Sequence, residues 1–149
     1  MTKTYPRLYR RIIYVLFSVS WLTGALFFIL NRWVAVDGDF GPEKHPLQFP
    51  ILMTHGASAF LMIFIFGVVV ASHITANWHM KAVRRLSLFL VITMSFQIVS
   101  AYLLYYLASA TWREIIANMH AIIGLLLPLL LCVHVIQAWR VRRRLISKP

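Results

Sequence analysis

Four long apolar runs dominate this chain: Ile12–Leu30, Ile51–Ile74, Leu86–Leu107 and Ile115–Trp139. Each reaches the roughly 20 residues that a helix needs to cross a bilayer. A segment surrounded by hydrocarbon must satisfy its own backbone hydrogen bonds, so a run of this length is read as a helix. The remaining segments are short. The 149 residues, 60% hydrophobic, leave no room for a separate soluble domain. The expectation is an all-α protein, a four-transmembrane-helix bundle, with residues 1–149 forming one integral-membrane domain. The first run is too long for a signal-peptide core and lacks a small-residue cleavage site, so it is read as a retained helix.

Charge sets the expected orientation. The formal net charge is +11, which by itself would fit a nucleic-acid partner. Its distribution argues against one. Lys3, Arg7, Arg10 and Arg11 precede the first run. Lys81, Arg84 and Arg85 lie between the second and third, and Arg140, Arg142, Arg143, Arg144 and Lys148 follow the fourth. In a four-span topology these segments share one side and hold twelve of the 15 basic residues. The four acids, Asp37, Asp39, Glu43 and Glu114, fall on the other side. This is the positive-inside pattern. It predicts cytoplasmic N and C termini, a place in the cell inner membrane, and outward loops at Asn31–Phe49 and Ser109–Arg113. The basic clusters then serve topology and contact with anionic lipid.

Against this apolar background stand four intramembrane histidines. An ionisable ring at membrane depth is costly and marks a candidate site. His55 and His73 lie on the second run, His120 and His134 on the fourth. Both pairs end alike, His73 five residues before Trp78 and His134 five before Trp139. The two helices run in the same direction, so His55 and His120 sit near the outer ends, His73 and His134 near the inner ends. At 100° per residue the pairs are offset by about 0° and about 40°, and each shares a helix face. At 1.5 Å per residue the partners are about 27 Å and about 21 Å apart along the helix. One ion cannot bridge that distance. Each metal site must therefore draw one histidine from each helix. Two imidazoles facing each other across an apolar space suit axial ligation of a flat macrocycle, which is bis-histidine haem b.

On these four histidines and their spacing the chain resembles the four-helix, di-haem membrane cytochromes b. That group includes cytochrome b561-like proteins and the membrane anchor subunits of respiratory oxidoreductases. The resemblance implies two haems, with His55 and His120 as axial ligands of one and His73 and His134 of the other. It implies electron transport in a respiratory chain, with quinone as a candidate small molecule. The partners would be other oxidoreductase subunits, or a periplasmic redox protein at the outer face. The likeness is nearest to cytochrome b itself, which also places two ligands on each of its second and fourth helices. This sequence departs from many cytochrome b561-like anchors in having no histidine in the first run. It departs from cytochrome b in the 18-residue spacing between His55 and His73, four more than between His120 and His134.

The other polar residues have plainer readings. His45, in the proline-rich outer loop, and His79, in the basic inner loop, are expected to be solvated. Trp78 and Trp139 fit an inner aromatic belt, and Tyr102, Tyr105 and Tyr106 an outer one, with a quinone pocket as their rival reading. Gln97 is placed to bond a haem edge or a quinone carbonyl. Gly56, Ala59, Ala71, Ser72 and Gly124 flank the histidines. They suit either the approach of a haem edge or close helix packing. Arg11, Arg84, Arg85 and Arg140 on the inside, with Arg32, Lys44 and Arg113 on the outside, are candidates to meet haem propionates. Pro128 is expected to kink the fourth helix by removing the partner of the Gly124 carbonyl. Cys132, the only cysteine, excludes an intrachain disulfide and is read as helix filler. No C-x-x-C-H motif offers covalent haem attachment. No intramembrane acid offers a proton relay, and no flavin, NAD or molybdenum site is visible. An electron-transfer subunit is therefore expected rather than a stand-alone enzyme. The rival readings are a non-redox scaffold or assembly subunit and a transporter of haem or metal.

Overall fold

A computed structural model describes residues 6–74 and 81–146, with side chains described except at positions 73, 74, 81, 82, 142, 145 and 146. The elements, in order, are α1 (Arg7–Trp33), β1 (Ala35–Gly38), β2 (Gly41–Lys44), α2 (Gln48–Val69) continued by a π turn (Val70–Ile74), α3 (Lys81–Tyr106) and α4 (Ala110–Ile146). Four helices are long and apolar enough to cross a membrane, over Arg7–Trp33, Gln48–Ser72, Val83–Tyr106 and Ala110–Val141. The chain is an all-α, multi-pass membrane protein with one small hairpin. The apolar runs extend at most ends because polar and basic residues add helical turns beyond the hydrocarbon.

The side chains are sorted as lipid demands. Among the described residues the buried polar ones are Gln48, Ser58, Gln97 and Ser100, and the buried apolar ones only Val83 and Leu127. Large apolar side chains such as Phe60, Phe64, Ile92, Leu129 and Val133 are exposed instead. In water that arrangement would be an aggregation surface. Facing acyl chains, it costs nothing, while polar groups are driven inward to find partners. Hydroxyls in the helices bond back within the helix: Thr23 to the Val19 carbonyl (2.6 Å), Ser58 to that of His55 (2.9 Å), Ser87 to that of Val83 (3.1 Å).

Two compact units divide the chain after Gly67. The first holds α1, the hairpin and most of α2. The second holds the end of α2, α3 and α4. In the second unit α3 and α4 lie closely side by side.

The segment expected to be a loop, Asn31–Phe49, contains an antiparallel hairpin pairing Ala35 with Lys44 and Gly38 with Gly41. Its two-residue turn is Asp39-Phe40, followed by Gly41 at φ +118°, a backbone region that favours glycine. Phe40 at the tip is fully exposed. Pro46 stays outside the next helix, and Pro50 lies within it. Helix α2 begins at Gln48, so Pro50 occupies the first turn, where a missing N–H costs no hydrogen bond. His45 starts this helix rather than standing merely solvated: its Nδ1 accepts from Leu47 N–H (3.1 Å) and its carbonyl from Gln48 N–H (2.9 Å). Gln48 then ties the helix to α1, donating from Nε2 to the Leu30 carbonyl (3.0 Å). Helix α4 runs through Pro128 without interruption. His79 and Trp78 lie outside the described residues.

Candidate functional site: histidines seated within each helical hairpin

Helix α4 keeps one stripe from exposure at alternating steps of three and four: Ala117, His120, Gly124, Leu127, Leu131, His134, Ala138 and Val141. His120 and His134 are 14 residues apart, so they hold equivalent places on this stripe, two heptads apart. Helix α2 has the matching stripe of Gln48, Ile51, His55, Ser58, Met62, Ile65 and Val69. The next turn differs. The 0° offset expected between His55 and His73 assumes a regular α-helix over all 18 steps. The last of those steps fall in the π turn, where hydrogen bonds span one more residue and each residue advances less. The α-helical arithmetic therefore stops at Val69. The backbone of His73 lies in the π turn, a feature that recurs at functional sites. Its side chain lies outside the described residues.

His55 is seated by α1. Its Nδ1 lies 2.8 Å from the Ser20 carbonyl oxygen. A carbonyl can only accept, so Nδ1 carries the proton. In the neutral ring the lone pair is then on Nε2. Gly24, one turn after Ser20, makes the seat: a Cβ there would stand 2.8 Å from His55 Cε1 and 3.0 Å from Nδ1. Trp21 adds a buried indole N–H with no hydrogen-bond acceptor among the described residues.

His120 is seated by α3 in the same sense. Ser100 Oγ is 2.8 Å from His120 Nδ1 and 3.1 Å from the Gln97 carbonyl oxygen. When both bonds are made, the hydroxyl donates to the Gln97 carbonyl and His120 Nδ1–H donates to the hydroxyl oxygen, which puts the lone pair of the neutral ring on Nε2; a hydroxyl turned to Nδ1 would put the ring proton on Nε2 instead. Gln97 reinforces the contact, donating from Nε2 to the His120 carbonyl (3.0 Å). Its carboxamide lies over Gly124, where a Cβ would stand 3.3 Å from Nε2. Gln97 thus joins α3 to α4 through one amide N–H, with Gly124 giving its carboxamide room.

These are features that suit a histidine ligand: a ring held against rotation by a partner at Nδ1, with Nε2 as the donor atom in the Nδ1–H tautomer. His45 shows the opposite polarity, with Nδ1 as acceptor in a helix cap. The four expected site residues therefore stand as two seated rings, His55 and His120, a third, His134, on the unexposed stripe of α4, and a fourth, His73, in the π turn.

No protein-family model, curated protein or solved structure matches this chain.

Among the described residues no three His, Cys, Asp or Glu side chains gather around a common point. Axial ligation by two imidazoles asks for no such group. The seated tautomers, the apolar surroundings and the unmatched Trp21 donor fit a haem. The seats themselves were the part that the sequence reading missed. Ser20 and Gly24, four residues apart on α1, and Gln97 and Ser100, three apart on α3, each stack on one helix face. Helical spacing of small and polar residues opposite a histidine was the available signal. The three tyrosines near the end of α3 face away from the protein. Tyr102 and Tyr106 pack at 4.7 Å between ring centroids, and with Tyr105 they are exposed, as a belt would be. Cys132 is also exposed. At the other end of α4, the Arg143 guanidinium lies 3.6 Å above the Trp139 ring, a cation–π pair suited to the lipid headgroup level.

Proposed function

We propose that this protein is a membrane electron-transfer subunit carrying two b-type haems. Histidines 55, 73, 120 and 134 would supply the axial ligands, His55 with His120 and His73 with His134. The supporting observation is that His55 and His120, at matching places in two hairpins, both hold Nδ1 at 2.8 Å from an oxygen of the preceding helix, the seat of a histidine that ligates through Nε2. Each bound haem would supply a one-electron iron couple. The chain's own residues fix the imidazoles and keep water from them. One haem near each face would make a two-step path across the membrane. Orientation with cytoplasmic termini in a cell inner membrane follows from the charge pattern. The electron path then joins a quinone pool to a redox partner at the outer face.

The same hydrogen bonds support one other reading. Bonds from His55 to Ser20 and from His120 to Ser100 join neighbouring helices, which is what a non-redox scaffold would need. A reduced-minus-oxidised spectrum of the purified protein, with haem extraction, separates the two. A b-type α band and two haems per chain are expected. A protein with no haem would leave the scaffold reading.

A further inference from the structure

We propose that α3, which carries no histidine, sets the tautomer of His120, with Ser100 and Gln97 as its positioning residues. Ser100 is 1% exposed, the most enclosed side chain among those described. It stands between two fixed groups. With its proton on the Gln97 carbonyl, its oxygen receives the His120 Nδ1 proton. Gln97, 9% exposed, then grips the His120 backbone from the side, and Gly124 leaves it room to do so. Side chain and backbone of one histidine are thereby held by two residues one turn apart.

The seat of His55 is of another kind. His55 donates to a backbone carbonyl, an acceptor that no side-chain change can remove. His120 donates to a hydroxyl, a weaker acceptor and a replaceable one. A stronger acceptor on Nδ1–H pushes electron density to Nε2, and a weaker one withholds it. The two rings therefore differ as donors, and the difference resides in α3. Its consequence for a redox potential rests on the haem reading above.

The test uses the full chain with 15N-labelled histidine in nanodiscs, haem-free or reduced so that it is diamagnetic. The wild-type His120 proton is expected on Nδ1 and slow to exchange. Ser100→Ala removes only the acceptor oxygen. It should speed exchange of that proton on the order of ten-fold while leaving the His55 signal unchanged. Gln97→Glu keeps size and loses the donor. It should lower the melting temperature but leave the proton on Nδ1. A wild-type proton on Nε2 in the haem-free chain, or an unchanged exchange rate in Ser100→Ala, would overturn the proposal. Haem content is read separately. If haem is bound, Ser100→Ala should raise the midpoint potential of one haem and spare the other. Altered proton exchange with both potentials unchanged would count against His120 as a ligand while upholding the role of Ser100.

Discussion

At Gly24 a single hydrogen atom decides whether His55 has a place. A methyl group there would overlap the imidazole at 2.8 Å. Overpacking of this kind costs about 1–3 kcal/mol, against up to about 1 kcal/mol gained by alanine in a helix. Gly24→Ala should therefore lower the thermal midpoint modestly and displace the His55 ring from the Ser20 carbonyl. Haem content measured beside the melting curve should fall toward one per chain. Full haem content with an unchanged melting temperature would mean that the seat is not needed. The histidines themselves were legible in the sequence because a titratable ring in an apolar run is conspicuous. Their seats were not, because serine and glycine are ordinary residues in membrane helices and gain meaning only from what lies across from them.

Among the elements, the hairpin and the π turn diverge most from the pattern in the sequence. Asn, Gly and Pro punctuate the segment between the first two spans, which masks the four-residue strands. Alternation over so short a length carries little signal. Cross-strand pairing between Ala35–Gly38 and Gly41–Lys44 supplies the order. Gly41→Val would force a β-branched residue to φ +118°, at about 1–3 kcal/mol. A two-stranded hairpin has little stability to spare. Limited proteolysis should then cut between residues 39 and 44 in the variant and not in the parent, with the melting of the helices unchanged. Resistance equal to the parent would show that the turn tolerates the change. The π turn escaped the sequence reading for another reason. No residue type marks it, and α-helical arithmetic passes over it unaware. The shared face expected for His120 and His134 rests on the helix period itself, and both lie on the unexposed stripe of α4.

Across the whole molecule, the charge distribution predicts a sidedness that labelling can measure. In a background with Cys132→Ser, Asp39→Cys should react in intact cells with a membrane-impermeant thiol reagent. Arg144→Cys should react only after lysis. The reverse pattern would invert the topology and place the hairpin inside. The sequence by itself determined four membrane-crossing helices and the places of four histidines along them. Those follow from local quantities: the run length that a bilayer demands, and the cost of a polar ring within it. Only the tertiary structure decided which atoms hold the rings. The pairing of His55 with the Ser20 carbonyl, and of His120 with Ser100 and Gln97, joins residues 35 and about 20 positions apart. A hydrogen bond forms there because lipid offers no water to satisfy an imidazole N–H, and the nearest acceptor lies on the neighbouring helix. That choice of partner depends on how two helices lie side by side, which no single run of residues can specify.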